Sequence, residues 1–325
     1  SKMAGDETKA YQIYKKLASV TPGDADVFKM LYQLAGKVGN KDEMSNFLRA
    51  FTKLRPNDAE AQKDLAEMLY DKGDQTGALA AYRGALKASP SMKGIYKKYV
   101  ELVIKEGKDN EIINAVNGAI VAGEATVDMY SRCGLIYRKL GNPSKAVQMY
   151  EKASKLDVKN ASLLIDLAES QVASRDTASA ILTYEQAVAM NPQAERELKA
   201  LGDLYAGQKK KENAVRVYKK YLEKAQDNTV AQLVGTHYFD QKNYPEAIKY
   251  FAMVTGTAST GPEFLKKYAT ASLMARDEFK AYQLFKQLSN VNAKDPEVFE
   301  KLSDLATRVG TKDEVANYLK AYTSL

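Results

Sequence analysis

The chain has 325 residues, 45% of them hydrophobic and 27% charged, and a net charge of +7 from 48 basic and 41 acidic side chains. A single cysteine excludes an intrachain disulfide, and no run approaches the roughly 18 apolar residues of a membrane span, so no membrane insertion is expected. The modest basic excess favours solubility and anionic partners without amounting to a nucleic-acid signature, and no targeting segment is visible, which leaves localisation open.

From the amino terminus, residues 1–24 read as a partial unit and a period of 34 residues then sets in. Units run 25–58, 59–92, 93–126, 127–160, 161–194, 195–227, 228–261, 262–295 and 296–325. Gly39, Gly73, Gly107 and Gly141 stand 34 apart, and Pro56, Pro90 and Pro192 close equivalent units. A period of this size predicts a stacked array in which each unit packs on its neighbours. The second unit shows the pattern most fully. Leu65, Ala66 and Leu69 mark a first amphipathic helix, Gly73-Asp74 a turn, and Ala78, Tyr82 and Ala85 a second helix that Pro90 ends.

The third unit departs most, with Ile112 and Val116 where alanine and an aromatic are usual. A one-residue shortening falls near Gln226–Asn228. The seventh unit lacks the closing proline and runs through residues 255–261 as either a long inter-repeat turn or a hinge.

These slots resemble the tetratricopeptide repeat, W-x2-L-G-x2-Y, then A-x3-F, then P. The first-helix pair recurs as Cys133-Gly134, Leu167-Ala168, Leu201-Gly202 and Tyr268-Ala269. The small residue of the second helix recurs as Ala146, Ala180, Ala214, Ala247 and Ala281, and the aromatic four later as Tyr150, Tyr184, Tyr218, Phe251 and Phe285. Tryptophan is absent, and Phe28, Tyr96, Tyr130 and Phe299 take its slot. The resemblance implies an all-α fold, a right-handed α-α superhelical solenoid of about nine repeats over residues 1–325. It also implies a non-catalytic protein–protein interaction scaffold that binds a peptide or helix in a concave groove lined by first helices. The alternatives are a nucleic-acid-binding helical-repeat protein and the repeat portion of a larger enzyme.

A second period overlies the first. Residues 1–54 align without a gap to 272–325, and 28 of the 54 positions are identical. The array is therefore expected to have grown by duplication of a block, with the chain starting inside a first helix and ending on a second. Val315, Leu319 and Tyr322 would form an uncovered stripe, so the chain reads as a segment of a longer array or as one capable of end-to-end self-association through uncapped termini.

Helix phase places Lys97, Lys98, Glu101, Arg132, Leu135, Arg138, Ile165 and Glu169 on the groove face. A carboxylate-clamp mode is disfavoured, because Asp64 stands at an asparagine slot and Gly94 at a lysine slot. A basic patch comprises Lys209, Lys210, Lys211, Arg216 and Lys220, with the last two on a convex helix face. His237 and Cys133 are read as core residues in units too far apart to form a catalytic or metal pair. No phosphate-binding glycine loop occurs, so neither enzymatic activity nor a cofactor is expected, the partner being a protein or peptide and nucleic acid being disfavoured.

Overall fold

The computed structural model describes residues 2–256, 259, 261–292 and 295–324, with side chains from residue 6 onward. Among the described residues there are 19 α-helices and no strand. They fall into two compact units, Ser1–Ser174 and Arg175–Leu325.

The first unit holds α1 (Lys2–Val20), α2 (Ala25–Lys37), α3 (Lys41–Leu54), α4 (Ala59–Asp71), α5 (Gln75–Ala88), α6 (Tyr96–Glu106), α7 (Asp109–Ala122), α8 (Val127–Lys139), α9 (Pro143–Leu156) and α10 (Ala161–Ala173). The second holds α11 (Thr177–Met190), α12 (Glu195–Gly207), α13 (Lys211–Leu222), α14 (Asn228–Asp240), α15 (Tyr244–Phe251), α16 (Pro262–Met274), α17 (Glu278–Val291), α18 (Pro296–Val309) and α19 (Lys312–Thr323). Within each unit the helices pair as hairpins, such as α4 with α5 and α12 with α13, and each second helix packs on the first helix of the next hairpin.

One turn chemistry makes most of these hairpins. Gly73 sits at φ +82° and Asp74 then caps α5, its carboxylate accepting from the Gly77 N–H at 2.8 Å. The cap satisfies an amide that the first helical turn leaves without a partner. The glycine spacing stops at Gly141, yet the left-handed conformation continues at Arg175 (φ 65°), Lys209 (φ 59°), Lys242 (φ 58°) and Arg276 (φ 65°). These side chains hold a backbone well that costs an L-residue roughly 1–2 kcal/mol, and at Lys209, Lys242 and Arg276 the packed helices on either side hold the turn.

The core is built where two helices of a hairpin touch. Ala78, Tyr82 and Ala85 are fully buried, as are Ile112 and Val116, which fill the same slots in the divergent third repeat. A methyl group added at Gly202 would lie 2.4 Å from the Tyr218 ring, and one at Gly235 would lie 2.5 Å from Phe251. The small residue of the first helix is therefore the seat for the aromatic of the second.

Two features depart from the internal match. Residues 1–54 align with a stretch that turns at Arg276-Asp277, but α1 runs unbroken through the equivalent Gly5-Asp6. At the other end, no residue of α19 is buried, and Leu319 and Tyr322 are 47% and 42% exposed. Their counterparts Leu48 and Phe51 are buried in one cluster with Ala61 and Leu65 of α4.

Candidate functional site

The first helices of successive repeats present a continuous face in each unit, and in the first unit its charges are cross-linked. Lys98 on α6 bonds to Glu67 on α4 and lies 3.6 Å from Asp71. Its ammonium also stands 4.8 Å above the Tyr70 ring. The bond to Glu67 holds Lys98 above the ordinary ammonium range. In return, Tyr70 on α4 donates to Glu101 on α6 at 2.8 Å, and Tyr82 donates to Glu67 at 2.6 Å.

A second brace joins α8 to α10. Arg138 donates to Asp166 at 2.8 Å and to Glu169 at 2.6 Å. Burial pushes the Asp166 carboxyl up against the pull of Arg138. Charge-assisted bonds of this kind fix the spacing of neighbouring helices.

Four of the eight residues expected to line a groove, Lys98, Glu101, Arg138 and Glu169, are thus held in bridges between repeats. Lys97 and Leu135 are exposed on the same face, and Ile165 is half-buried there. Arg132 is half-buried, with a buried Nε that has no hydrogen-bond partner among the described residues.

The second unit has its bridge farther along, where Lys266 on α16 meets Glu297 on α18 at 2.7 Å. Ala200 and Leu233 occupy the slots that hold Lys98, Arg132 and Asp166 in the first unit, so no bridge can form through them. A cavity of about 700 Å³ opens here, floored by Val215 and Tyr218 of α13 and walled by Leu233 of α14. Lys209, Lys211 and Lys267 stand around it together with Glu212 and Asp240.

The expected basic patch is consequently divided. Lys209 and Lys211 line this cavity, Lys210 precedes α13, Arg216 meets Glu185 at 3.7 Å, and Lys220 is exposed on α13. His237 also lines the cavity and is only half-buried, which corrects its reading as a core residue: this helix position lies at the margin of the core, and its equivalent in the sixth repeat, Leu204, is half-buried too. Cys133 is fully buried, and burial pushes its thiol up to about 11.

Of the 255–261 segment, Thr257, Ala258 and Thr260 lie outside the described residues. Its start is tied down, since the Thr255 N–H donates to the Asn228 side chain at 3.1 Å and the Thr255 carbonyl accepts from it at 2.9 Å. Among the described residues no cluster of three or more His, Cys, Asp or Glu side chains is placed to hold a metal ion. Among the described residues no helix is long and apolar enough to cross a membrane.

The tetratricopeptide-repeat family profile matches residues 43–93, 133–194 and 165–229. No curated protein matches the chain in sequence. Among solved structures it is similar to YrrB, described as a tetratricopeptide-repeat protein with an unusual peptide-binding site, at 18% identity and a TM-score of 0.43, covering 56% of this chain and 94% of that one. It is also similar to MamA, at 24% identity and a TM-score of 0.40, covering 51% of this chain and 91% of that one. A third likeness is to Pseudomonas aeruginosa pilF, at 17% identity and a TM-score of 0.35, covering 76% of this chain and 97% of that one. With helix hairpins whose alanine and aromatic slots recur along both units and a profile match in each, the chain belongs to the tetratricopeptide-repeat family.

Proposed function

We propose that the protein is a non-catalytic interaction scaffold that receives a peptide or helix of a partner protein on the face of its first helices. The observation that carries this reading is the bracing of that face. Lys98 with Glu67 and Arg138 with Asp166 and Glu169 fix successive first helices, while Lys97, Arg132 and Leu135 remain outside these bridges. A braced surface loses little freedom on binding, which favours a long ligand laid across several repeats.

The test is capture of partners by the full chain and by charge or polarity changes on each face. Lys97→Glu with Arg132→Glu, and Leu233→Asp, alter the first-helix face, whereas Lys220→Glu alters a second helix. The reading predicts a partner that survives nuclease and high salt and is lost with at least one first-helix variant but kept by Lys220→Glu. A partner indifferent to every first-helix change, or one released by nuclease, contradicts it.

A further inference from the structure

The first-helix faces of the two units carry different side chains. In the first, the slot residue Lys98 and the nearby Arg138 are consumed in bridges to Glu67, Asp166 and Glu169. In the second, the cavity between α12, α13, α14 and α16 is open, and its volume of about 700 Å³ lies within the range of roughly 300–1,000 Å³ common to ligand sites. Leu233 is 50% exposed at its wall, above Val215 and Tyr218, which are buried. Lys209, Lys211 and Lys267 form no ion pair among the described residues, and they outnumber the carboxylates of Glu212 and Asp240 at the cavity. An apolar wall ringed by unspent ammonium groups selects a ligand that is apolar at its centre and acidic around it.

Resting on the scaffold reading above, we infer that this cavity is the anchor site, and that it takes a bulky apolar side chain from a partner segment whose flanking residues are Asp or Glu. The apolar side chain covers Leu233. The flanking carboxylates meet Lys209 and Lys211 on one side and Lys267 on the other. The slot residue Leu233 keeps this wall apolar, where the equivalent slot in the first unit holds the charged Lys98, Arg132 or Asp166.

The test uses the full chain and a fluorescein-labelled dodecapeptide of Asp and Glu around a central Phe-Leu pair, read by fluorescence anisotropy. Its comparisons are the same peptide with Ala-Ala at the centre, the same peptide with Lys in place of each acid, and a labelled U12 RNA. The inference predicts that the acidic Phe-Leu peptide binds at least about tenfold more tightly than any comparison. Leu233→Asp and Lys209→Glu with Lys267→Glu should each weaken it by about tenfold or more, and Arg132→Glu by less than about twofold. Leu233→Ala, which adds no charge, should weaken it to a smaller degree, and far-UV circular dichroism verifies that every variant is folded. Equal binding of the peptides, preference for the RNA, insensitivity to Leu233→Asp, or no binding overturns the inference. Binding that answers to Arg132→Glu but not to Leu233→Asp overturns the anchor site alone and leaves the scaffold reading standing.

Discussion

The ammonium of Lys286 donates to the carboxylate of Glu314 at 2.9 Å, joining the second helices of two successive repeats. The same contact occurs 271 residues earlier, where Lys15 donates to Glu43 at 2.7 Å. Tyr11 also bonds to Glu43, and its counterpart Tyr282 faces Glu314. A second pair is kept as well: Lys37 with Glu7 at 3.2 Å answers Arg308 with Glu278 at 2.6 Å. The identities between the two segments therefore include both sides of contacts between repeats, as duplication of a stacked block requires.

These contacts set a pH dependence. The bond from Lys286, with the Thr311 amide and Tyr282, holds Glu314 down to about 2 from its ordinary value of 4.5. A depressed carboxyl stabilises the fold fully above the unfolded value and loses that contribution as pH falls through the folded one. Glu314→Gln should lower the melting temperature at pH 7, and the gap from the parent should shrink between pH 4.5 and about 2. Thermal melts across that window check it, and a gap that persists at pH 2 would be against it.

The seat of Tyr218 yields a packing prediction. Gly202→Ala places a methyl group 2.4 Å from the ring atoms, an overpacking that costs about 1–3 kcal/mol. In a Tyr218→Leu background the same change should cost less, because the ring it strikes is gone. A double-mutant cycle by urea denaturation measures this coupling, and strict additivity would contradict the seat.

The turns yield opposite signs for two exchanges. Lys242 holds φ +58°, so Lys242→Gly should be neutral or stabilising by up to about 1 kcal/mol despite the added chain entropy. Gly73 holds φ +82° with open space around it, so Gly73→Ala should destabilise by about 1–2 kcal/mol from backbone strain alone. Denaturation midpoints at constant slope decide both.

Cys133 should be inert while the protein is folded. Burial raises its thiol to about 11, and the side chain is fully enclosed. An aromatic disulfide reagent at pH 8 should react only after denaturant is added, since the thiolate is the reactive form. Rapid modification of the native protein would contradict the packing of α8.

Much of this was legible in the sequence because it is local. Ala78, Tyr82 and Ala85 lie within one helix and announce the hairpin by spacing alone. The turns were legible only as far as Gly141, because Lys209 and Lys242 are held in the same conformation by packing rather than by their own preference. The partners of the groove charges were hidden for a similar reason. Phase places Lys98 on the first-helix face, but only the fold shows that Glu67, 31 residues away, occupies it. The cavity had a faint signal, an apolar Leu233 in a slot that holds Lys98, Arg132 and Asp166 elsewhere. His237 was misplaced because its helix position lies at the margin of the core, where Leu204 of the sixth repeat is half-buried too.

The most direct measurement is hydrogen–deuterium exchange of the full chain with and without a captured partner. The account predicts slowed exchange in the first helices, centred on α12, α14 and α16 around Leu233. Protection confined to second helices such as α13, α15 and α17 would contradict it.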